Sequence, residues 1–296
     1  MSATPGIKVS FEFFPPADAA MEATLWSSLQ RLAPLAPRFV SVTYGADGST
    51  RARTHQLVTR IQQAGALTGA AHLTCVGASR TEILDIARDY WQQGVRHLVA
   101  LRGDPPQGTP CYQPHPDGFA YAADLVAGIA RLAAFDISVA AYPEVHPQAR
   151  SAADDLENLR RKLDAGATRA ITQFFYDTEV FLRFRDRCAA AGISAPIVPG
   201  ILPITRFPQV LRFARACGAS IPAWLHERFS GLDEDAETRR LIAASVAIEQ
   251  VQALSAHGVR EFHFYTLNRA ELTYAICHAL GLRPQSQPLQ HAGTPA

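Results

Sequence analysis

The sequence predicts an α/β fold, a single (β/α)8 barrel, and three observations lead to this prediction. Eight short apolar runs rich in Val, Ile, Phe and Thr alternate with longer stretches in which apolar residues recur at helical spacing. Strands that alternate with helices form a parallel sheet, because parallel neighbours need crossover connections. No G-x-G-x-x-G turn follows these runs, which argues against the alternative architecture, an open doubly wound sheet.

The predicted elements follow one another without a linker or a break in composition. The predicted strands are Ile7–Phe14, Phe39–Tyr44, Ala70–Val76, His97–Leu101, Ile137–Tyr142, Ala170–Phe175, Ile197–Ile201 and Glu261–Leu267. Helical spacing is clear in Leu25, Leu29, Leu32 and Leu35, and again in Leu156, Leu159 and Leu163. Residues 202–260 are too many for one helix, so we expect two or three there, including Asp235–His257. We therefore expect one barrel domain over residues 1–283, with extra helices between strands seven and eight, and a flexible tail over 284–296.

The composition excludes several classes of protein. Hydrophobic residues make up 48% of the 296 residues and charged residues 19%, which argues against extensive disorder. The net charge of +1 gives no reason to expect nucleic-acid binding. No apolar run approaches the ~18 residues of a membrane helix. Five Cys without a C-x-x-C motif, and an N-terminus without the pattern of a signal peptide, favour the reducing cytoplasm.

Polar residues closely follow most of the predicted strands. A barrel carries its active site at the carboxyl ends of its strands and in the loops that follow them. The polar residues at these positions include Glu12, Thr43, Arg102, Asp104, Glu144, His146, Gln173 and Asn268. We expect them to converge on one rim of the barrel.

Glu12 is the strongest acid/base candidate. It shares one face of its strand with Ser10, while Val9, Phe11 and Phe13 share the other face. Its aromatic and proline neighbours predict poor solvation, which raises the pKa of a carboxyl group and suits a general acid. The alternative is a structural Glu paired with a nearby Arg.

Three further patterns each allow a functional and a structural interpretation. Residues 102–104 form an Arg-Gly-Asp turn, in which Asp104 is either a ligand-binding acid or a cap of the loop backbone. Asp155, Asn158 and Lys162 share one helical face with Arg161 beside them, which by spacing alone indicates a solvated surface. Gln209 and Phe213 share another helical face, where a Phe more often belongs to the core. Histidines on or near the strands could form a zinc site, but no H-E-x-x-H or H-x-H spacing supports it.

Nine sequence blocks together resemble one known family. They are SFEFFPP (Ser10–Pro16), VTYGADGSTR (Val42–Arg51), HLTCVG (His72–Gly77), LRGDPP (Leu101–Pro106), AAYPEVHP (Ala140–Pro147), DAGATRAITQFFYD (Asp164–Asp177), PGILPI (Pro199–Ile204), IPAWL (Ile221–Leu225) and FHFYTLNRAE (Phe262–Glu271). In content and order they resemble the bacterial 5,10-methylenetetrahydrofolate reductases, which are FAD-dependent (β/α)8 barrels. The resemblance runs from about Ile7 to Pro284.

The resemblance implies a ping-pong oxidoreductase of one-carbon metabolism. NADH or NADPH reduces bound FAD, and the reduced flavin converts methylenetetrahydrofolate to 5-methyltetrahydrofolate for methionine synthesis; NADH is the usual donor of the bacterial family. Glu12 matches the acid that protonates N10 so that the folate ring opens to an iminium. Asp104 matches an acid whose charge stabilises that cation and makes the flavin a stronger reductant. The resemblance also implies a homo-oligomer, a tetramer or a dimer, with no metal.

The remaining site residues are implied by the same resemblance. Flavin contacts fall on Thr43, Tyr44, Ala46, His72, Arg102, Gly103, Asp104, Tyr121, Ala122, Tyr142, His146, Asp155, Asn158, Arg161 and Lys162. Folate contacts fall on Gln173, Gln209, Tyr265 and Arg269, and Phe213 packs against whichever substrate occupies the site. The loop Gln107–Gly118, which precedes Tyr121, carries Cys111 and three Pro and departs from the family's composition.

Three other functions remain as alternatives. One is another flavin-dependent barrel oxidoreductase, similar to proline dehydrogenase, which would need no folate site. Another is a metal-dependent barrel lyase or aldolase, which would be colourless and sensitive to chelators. The third is a catalytically silent folate- or flavin-binding protein, which the presence of Glu12 and Asp104 argues against.

Overall fold

The structure, a computed structural model, describes residues 6–45, 50–105 and 112–285. Within these ranges the strands are β1 (Lys8–Phe13), β2 (Val40–Val42), β3 (Gly69–Thr74), β4 (His97–Leu101), β5 (Asp136–Ala141), β6 (Arg169–Thr172), β7 (Ile197–Val198), β8 (Gly200–Ile201) and β9 (Glu261–Tyr265). The helices are α1 (Ala19–Leu32), α2 (Arg51–Gln63), α3 (Arg80–Gln92), α4 (Ala122–Leu132), α5 (Ala152–Asp164), α6 (Thr178–Ala190), α7 (Phe207–Cys217), α8 (Ala223–Phe229), α9 (Ala236–Ala256) and α10 (Ala270–Ala279). Leu35 belongs to a short 3-10 turn that follows α1.

The strands form one parallel sheet in barrel arrangement, as predicted. β1 to β7 pair in chain order, β9 pairs with β1, and β8 pairs with β9. β7 and β8 stand at opposite ends of this order, yet only Pro199 separates them in the chain, so this segment completes the ring. Proline has no N–H to give to a ladder, and the carbonyl of Pro199 accepts the N–H of His263 at 3.0 Å. The prediction of one continuous seventh strand is therefore wrong, because the strand changes partner at Pro199.

The sixth strand is shorter than predicted. It ends at Thr172 rather than at Phe175. Its neighbour β7 has only two residues and pairs with Ala170 and Ile171 alone, so the ladder has no partner for the residues that follow.

Alternation along β1 separates the packed core from the interior of the barrel. Val9, Phe11 and Phe13 are buried in the main hydrophobic cluster together with apolar residues of α1. Ser10 and Glu12 point to the other face, inside the barrel. The same alternation sets which residues of the other strands reach the interior, and the strand ends set which of them reach its rim.

Three helices lie between β8 and β9, in agreement with the prediction. The expected helix Asp235–His257 is α9, whose first turn is capped by the side chain of Asp235. Apolar residues of α7, α8 and α9 form a second cluster that covers this end of the barrel. Across the described part of the chain, no helix is long and apolar enough to span a membrane.

Candidate active site

A cavity of about 410 Å³ lies at the carboxyl ends of the strands. Its volume and its largely apolar lining with a few polar side chains are those of a small-molecule site. It is lined by Glu12, Phe13, Phe14, Thr43, His72, Val99, Leu101, Ala140, Tyr142, Ile171, Gln173, Phe174, Leu202, Phe213, Ala216, Cys217, Tyr265, Thr266 and Leu267. Seven predicted site residues are therefore together in it: Glu12, Thr43, His72, Tyr142, Gln173, Phe213 and Tyr265.

Two histidines from other strands contact the carboxylate of Glu12. Glu12 Oε2 lies 3.2 Å from Nε2 of His72 on β3 and 3.4 Å from Nε2 of His263 on β9. The second ring nitrogen of His263, Nδ1, lies 2.7 Å from the hydroxyl of Ser10. His263 is fully buried, so these two contacts fix the orientation of its ring. Glu12 itself keeps 19% of its side chain exposed, toward the cavity.

The carboxyl group of Glu12 is ionised in this arrangement. Burial raises its pKa, but the charge of His72 and the contacts from His263 and His72 lower it by more, so that the pKa falls to about 2. The predicted rise of this pKa is therefore wrong. The sequence shows the apolar neighbours of Glu12 in the chain, but not the two imidazoles that the barrel brings to it.

Tyr265 is held at the cavity wall by a hydrogen bond to the backbone of Thr172, and its ring packs closely against Gly200. Its hydroxyl donates to the carbonyl of Thr172 at 2.7 Å, and the N–H of Gly200 donates to the Thr172 hydroxyl at 2.9 Å. A Cβ at Gly200 would lie 2.2 Å from the Thr172 carbonyl oxygen and 2.6 Å from the Tyr265 ring. Only glycine allows this close approach. Beside them, the Gln173 side-chain oxygen accepts from the N–H of Phe174 at 2.9 Å, which fixes this amide at the cavity wall.

Helix α7 forms one side of the cavity mouth. Phe213 is 36% exposed and lines the cavity, so the interpretation that it belongs to the core is wrong. Gln209, one turn earlier on the same face, is half-buried and does not line the cavity.

The loop after β4 lies on the same rim. Gly103 has a φ of +87°, in the left-handed region that favours glycine. The Arg102 guanidinium lies 3.9 Å from Asp104 Oδ1 and over the ring of Tyr112. Asp104 is 70% exposed. The pKa of Tyr142 is raised to about 12, mainly by burial of Tyr142 and next by the negative charge of Asp104. Asp104 therefore acts on the cavity electrostatically without lining it.

Helix α5 carries a buried cation close to the cavity. Lys162 Nζ donates at 2.6 Å to the carbonyl of Ala140, a residue that lines the cavity. Burial lowers the pKa of Lys162 to about 8, against the opposing charge of Asp155. Asp155 accepts the N–H of His146 at 2.9 Å and thereby ties α5 to the loop after β5. The solvated-face interpretation is thus wrong for Lys162.

The other predicted site residues lie outside the cavity lining. In the described part of the chain they are Tyr44, Arg102, Gly103, Asp104, Tyr121, Ala122, His146, Asp155, Asn158, Arg161, Lys162, Gln209 and Arg269. Asn158, Arg161 and Arg269 are exposed, and Tyr121 is the exposed cap residue of α4. Ala46 lies outside the described residues, as do residues 107–111 of the loop with unusual composition.

Sequence reasoning missed the contact of His263 with Glu12, since it treated His263 only as one of the histidines near the strands that could be zinc ligands or structural residues. The signal was present: in a closed barrel β9 is the neighbour of β1, and the register places His263 opposite Ser10. Asn268 has a further role, because its side chain both accepts from the N–H of Phe14 and donates to its carbonyl, at 2.9 and 2.8 Å. Among the residues that the structure describes, no group of three or more His, Cys, Asp or Glu could hold a metal ion.

Comparisons with known proteins agree on one family. A family model described as methylenetetrahydrofolate reductase matches residues 2–281. The chain is 58% identical to the 5,10-methylenetetrahydrofolate reductase of Salmonella typhimurium over 278 residues, which covers 94% of this chain and 92% of that protein. Its identity to the protein of the same name from Escherichia coli is 57%, with the same coverage.

A solved structure extends the comparison of the fold. An uncharacterised protein from Clostridium thermocellum, described as binding two copies of 5-methyl-5,6,7,8-tetrahydrofolic acid, is similar with a TM-score of 0.62 at 14% identity. The match covers 94% of this chain and 95% of that one. At this identity the likeness supports the barrel fold alone.

Proposed function

The chain belongs to the methylenetetrahydrofolate reductase family and has its enzymatic activity, and from this premise we propose that methylenetetrahydrofolate binds in the cavity beside Glu12. There the enzyme reduces it to 5-methyltetrahydrofolate with bound FAD. The observation that carries the proposal is the position of Glu12, a carboxylate at the wall of an apolar cavity in contact with two imidazoles. This arrangement can both move a proton and stabilise a positive charge in one place.

Glu12 delivers the proton that opens the five-membered ring of the substrate. The bridging methylene accepts a hydride readily only after its bond to N10 breaks, and that break needs a proton at N10. Glu12 lies within hydrogen-bond reach of His72 and His263, through which a proton can reach its carboxyl group. The carboxylate that remains then faces the iminium cation and stabilises it.

The side chains around Glu12 position the folate. Gln173 and Tyr265, both fixed by backbone hydrogen bonds, offer polar contacts to a planar heterocycle. Phe213 packs on the face of whichever substrate occupies the cavity. Arg269 is exposed and offers a cation to the glutamate end of the folate.

The residues on the rim fit FAD. Lys162 offers a buried ammonium group next to the cavity, and Arg161 offers an exposed cation on the same helix, as a diphosphate requires. The apolar wall between them and Glu12 suits a flavin ring. When bound, FAD supplies the transfer of hydride from the nicotinamide to the folate. Asp104 lowers the electrostatic potential at this rim and so disfavours additional negative charge there.

The test of this proposal is the visible absorption spectrum of the purified protein after free FAD has been removed by gel filtration. We expect flavin bands that bleach anaerobically with NADH and return on addition of methylenetetrahydrofolate. NADPH is the parallel reductant, because none of the site residues that the structure describes distinguishes the two donors. A colourless protein that takes up no FAD would refute the cofactor assignment, and sensitivity to chelators would then favour the metal-dependent alternative.

Glu12→Gln separates the two halves of the reaction. We expect the variant to retain FAD and its reduction by the dinucleotide but to lose nearly all folate reduction, since Gln cannot donate the proton. The measurement is anaerobic stopped-flow absorbance for each half-reaction. Folate reduction at close to the wild-type rate would show that Glu12 is not the acid.

Asp104→Asn tests the electrostatic role of Asp104. Without the carboxylate, the negative charge that the flavin gains on reduction is less unfavourable. We therefore expect the midpoint potential of the bound FAD to rise. Potentiometric titration of both proteins measures it. An unchanged or lower potential would contradict this role.

The setting of the enzyme follows from the same family. We propose a homo-oligomer, a tetramer or a dimer, that works in the cytoplasm. The described cysteines Cys75, Cys188, Cys217 and Cys277 are all free, which fits a reducing compartment. Sedimentation of the FAD-bound protein tests the oligomeric state.

A further inference from the structure

The loop after β5 and the segment after α7 are joined by a carboxylate that does not line the cavity. Glu144 Oε1 accepts two hydrogen bonds from Ser220, one from its N–H at 2.8 Å and one from its hydroxyl at 3.1 Å. Glu144 belongs to the loop of Tyr142 and precedes the point at which His146 is tied to α5. A charged acceptor with two donors on one residue is a strong and directional contact.

The segment that carries Ser220 also packs directly on this loop. Gly218 ends α7 with a φ of +75°, and a Cβ at this position would lie 3.1 Å from Cγ of Pro147. α7 therefore leaves its last turn pressed against the loop after β5. The charge of Glu144 also affects Cys217, the last residue of α7. Burial is the main cause of the raised pKa of Cys217, and the negative charge of Glu144 adds to it.

The two parts joined by Glu144 both contribute side chains to the cavity of the active site. The β5 loop supplies Tyr142 to the cavity, and its ring packs edge-on against His146 with centroids 4.6 Å apart. α7 supplies Phe213 and Cys217 to the same cavity. The position of α7 against this loop decides how closely Phe213 approaches a bound substrate, and with it the width of the cavity at its mouth.

We propose that Glu144 is a positioning residue that holds α7 against the β5 loop and thereby sets the width of the substrate cavity. The inference rests on the proposed function. Glu144 neither lines the cavity nor contacts Glu12, so its loss should leave the chemical step intact. The loss should weaken substrate binding, because α7 and Phe213 are then held less firmly. Loss of a binding contact without loss of the chemical step appears in KM rather than in kcat.

The kinetic test compares Glu144→Ala with Glu144→Gln in the FAD-bound enzyme. We expect Glu144→Ala to raise the KM for methylenetetrahydrofolate and for NADH about tenfold, a modest factor for the loss of two hydrogen bonds to a carboxylate because both are exposed to solvent. We expect kcat to change less than about twofold and the FAD content to stay the same. Glu144→Gln keeps an oxygen acceptor for Ser220, so its KM should stay within about threefold of wild type. Glu227→Ala, which removes an exposed carboxylate on α8, is the matched control.

A second readout does not depend on activity. Cys217 is half-buried beside the proposed contact, whereas Cys188 and Cys277 are buried elsewhere. We expect alkylation of Cys217, followed by peptide mass spectrometry, to be clearly faster in Glu144→Ala than in Glu144→Gln. Both variants lose the charge that raises the pKa of Cys217, so the difference between them reports the loss of the contact. Equal acceleration in both variants would mean that only the charge matters, and faster alkylation of all three cysteines would mean general loosening; either result overturns the proposal.

Ser220→Ala provides the test from the partner side. It removes the hydroxyl donor and keeps the N–H, so we expect a smaller rise of KM, about threefold. The double variant with Glu144→Ala should be no worse than Glu144→Ala alone, since both remove the same contact. Wild-type kinetics and Cys217 alkylation in Glu144→Ala would overturn the proposal. A wild-type protein that reduces no folate would instead refute the proposed function, while the alkylation result would still decide the role of Glu144.

Discussion

Replacing Glu12 by Gln should change the stability of the protein in a way that depends on pH. The pKa of Glu12 is about 2 in the folded protein and 4.5 in the reference state, because the charge of His72 and the contacts from both histidines outweigh burial. A lowered pKa contributes stability above pH 4.5 that is lost as the pH falls toward 2. The full contribution is about 3 kcal/mol, at ~1.4 kcal/mol per pKa unit. Only about half of it remains at pH 3.

The assay is urea unfolding of wild type and Glu12→Gln at pH 5.5 and pH 3, both freed of FAD so that loss of the ligand adds no pH dependence. We expect Gln to reduce the free energy of unfolding by about 3 kcal/mol at pH 5.5 and by about half of that at pH 3. Glu227→Gln, at an exposed position on α8, is the control and should show little difference at either pH. A Gln variant as stable as wild type at pH 5.5, or a difference that does not shrink with acid, would refute the reasoning.

Two more substitutions test the walls of the site. Gly200→Ala places a Cβ too close to the Thr172 carbonyl and the Tyr265 ring. We expect urea unfolding to show a loss of about 1–3 kcal/mol in the free energy of unfolding, together with weaker folate binding. Gly6→Ala, at a position with no neighbouring atom within 4 Å, is the control and should be nearly neutral. Lys162→Met removes a buried ammonium whose pKa is about 8, so wild type should bind FAD progressively more weakly above that pH, whereas the variant should bind weakly at every pH. Fluorescence titration of FAD measures this, and a wild-type affinity that does not change between pH 7 and pH 9 would contradict the assigned role.

The alternation of elements was sufficient to predict the barrel, because the spacing of apolar residues indicates each strand and helix from a short stretch of sequence. The (β/α)8 order follows from periodicity. The length of residues 202–260 predicted two or three helices there, and the structure has three. Periodicity does not show which strands pair with each other in the sheet. The break at Pro199 divides one strand between two neighbours that lie on opposite sides of it, and this depends on the closure of the sheet.

The candidate site divides in the same way. Residues at strand ends, such as Thr43 and Gln173, could be placed at the rim from the chain itself, because the fold class fixes where the carboxyl ends of the strands meet. The environment of Glu12 could not, since His263 is 251 residues away along the chain and His72 lies on a strand that does not pair with β1. Local hydrophobicity therefore predicted the cost of burial correctly but not the charges that oppose it.

The ionised state of Glu12 is compatible with its proposed role as an acid, because the substrate changes the surroundings of the carboxyl group. With a pKa of about 2, Glu12 holds no proton near neutral pH in the substrate-free cavity, so the proposed acid must gain its proton when the substrate binds. Burial is already the largest single influence on this carboxyl and acts to raise its pKa, and a substrate that displaces water from the cavity strengthens it. We therefore expect substrate binding to raise the pKa of Glu12 and so to favour its protonated form. In the proposed reaction the carboxylate that remains after the transfer then lies beside the iminium cation.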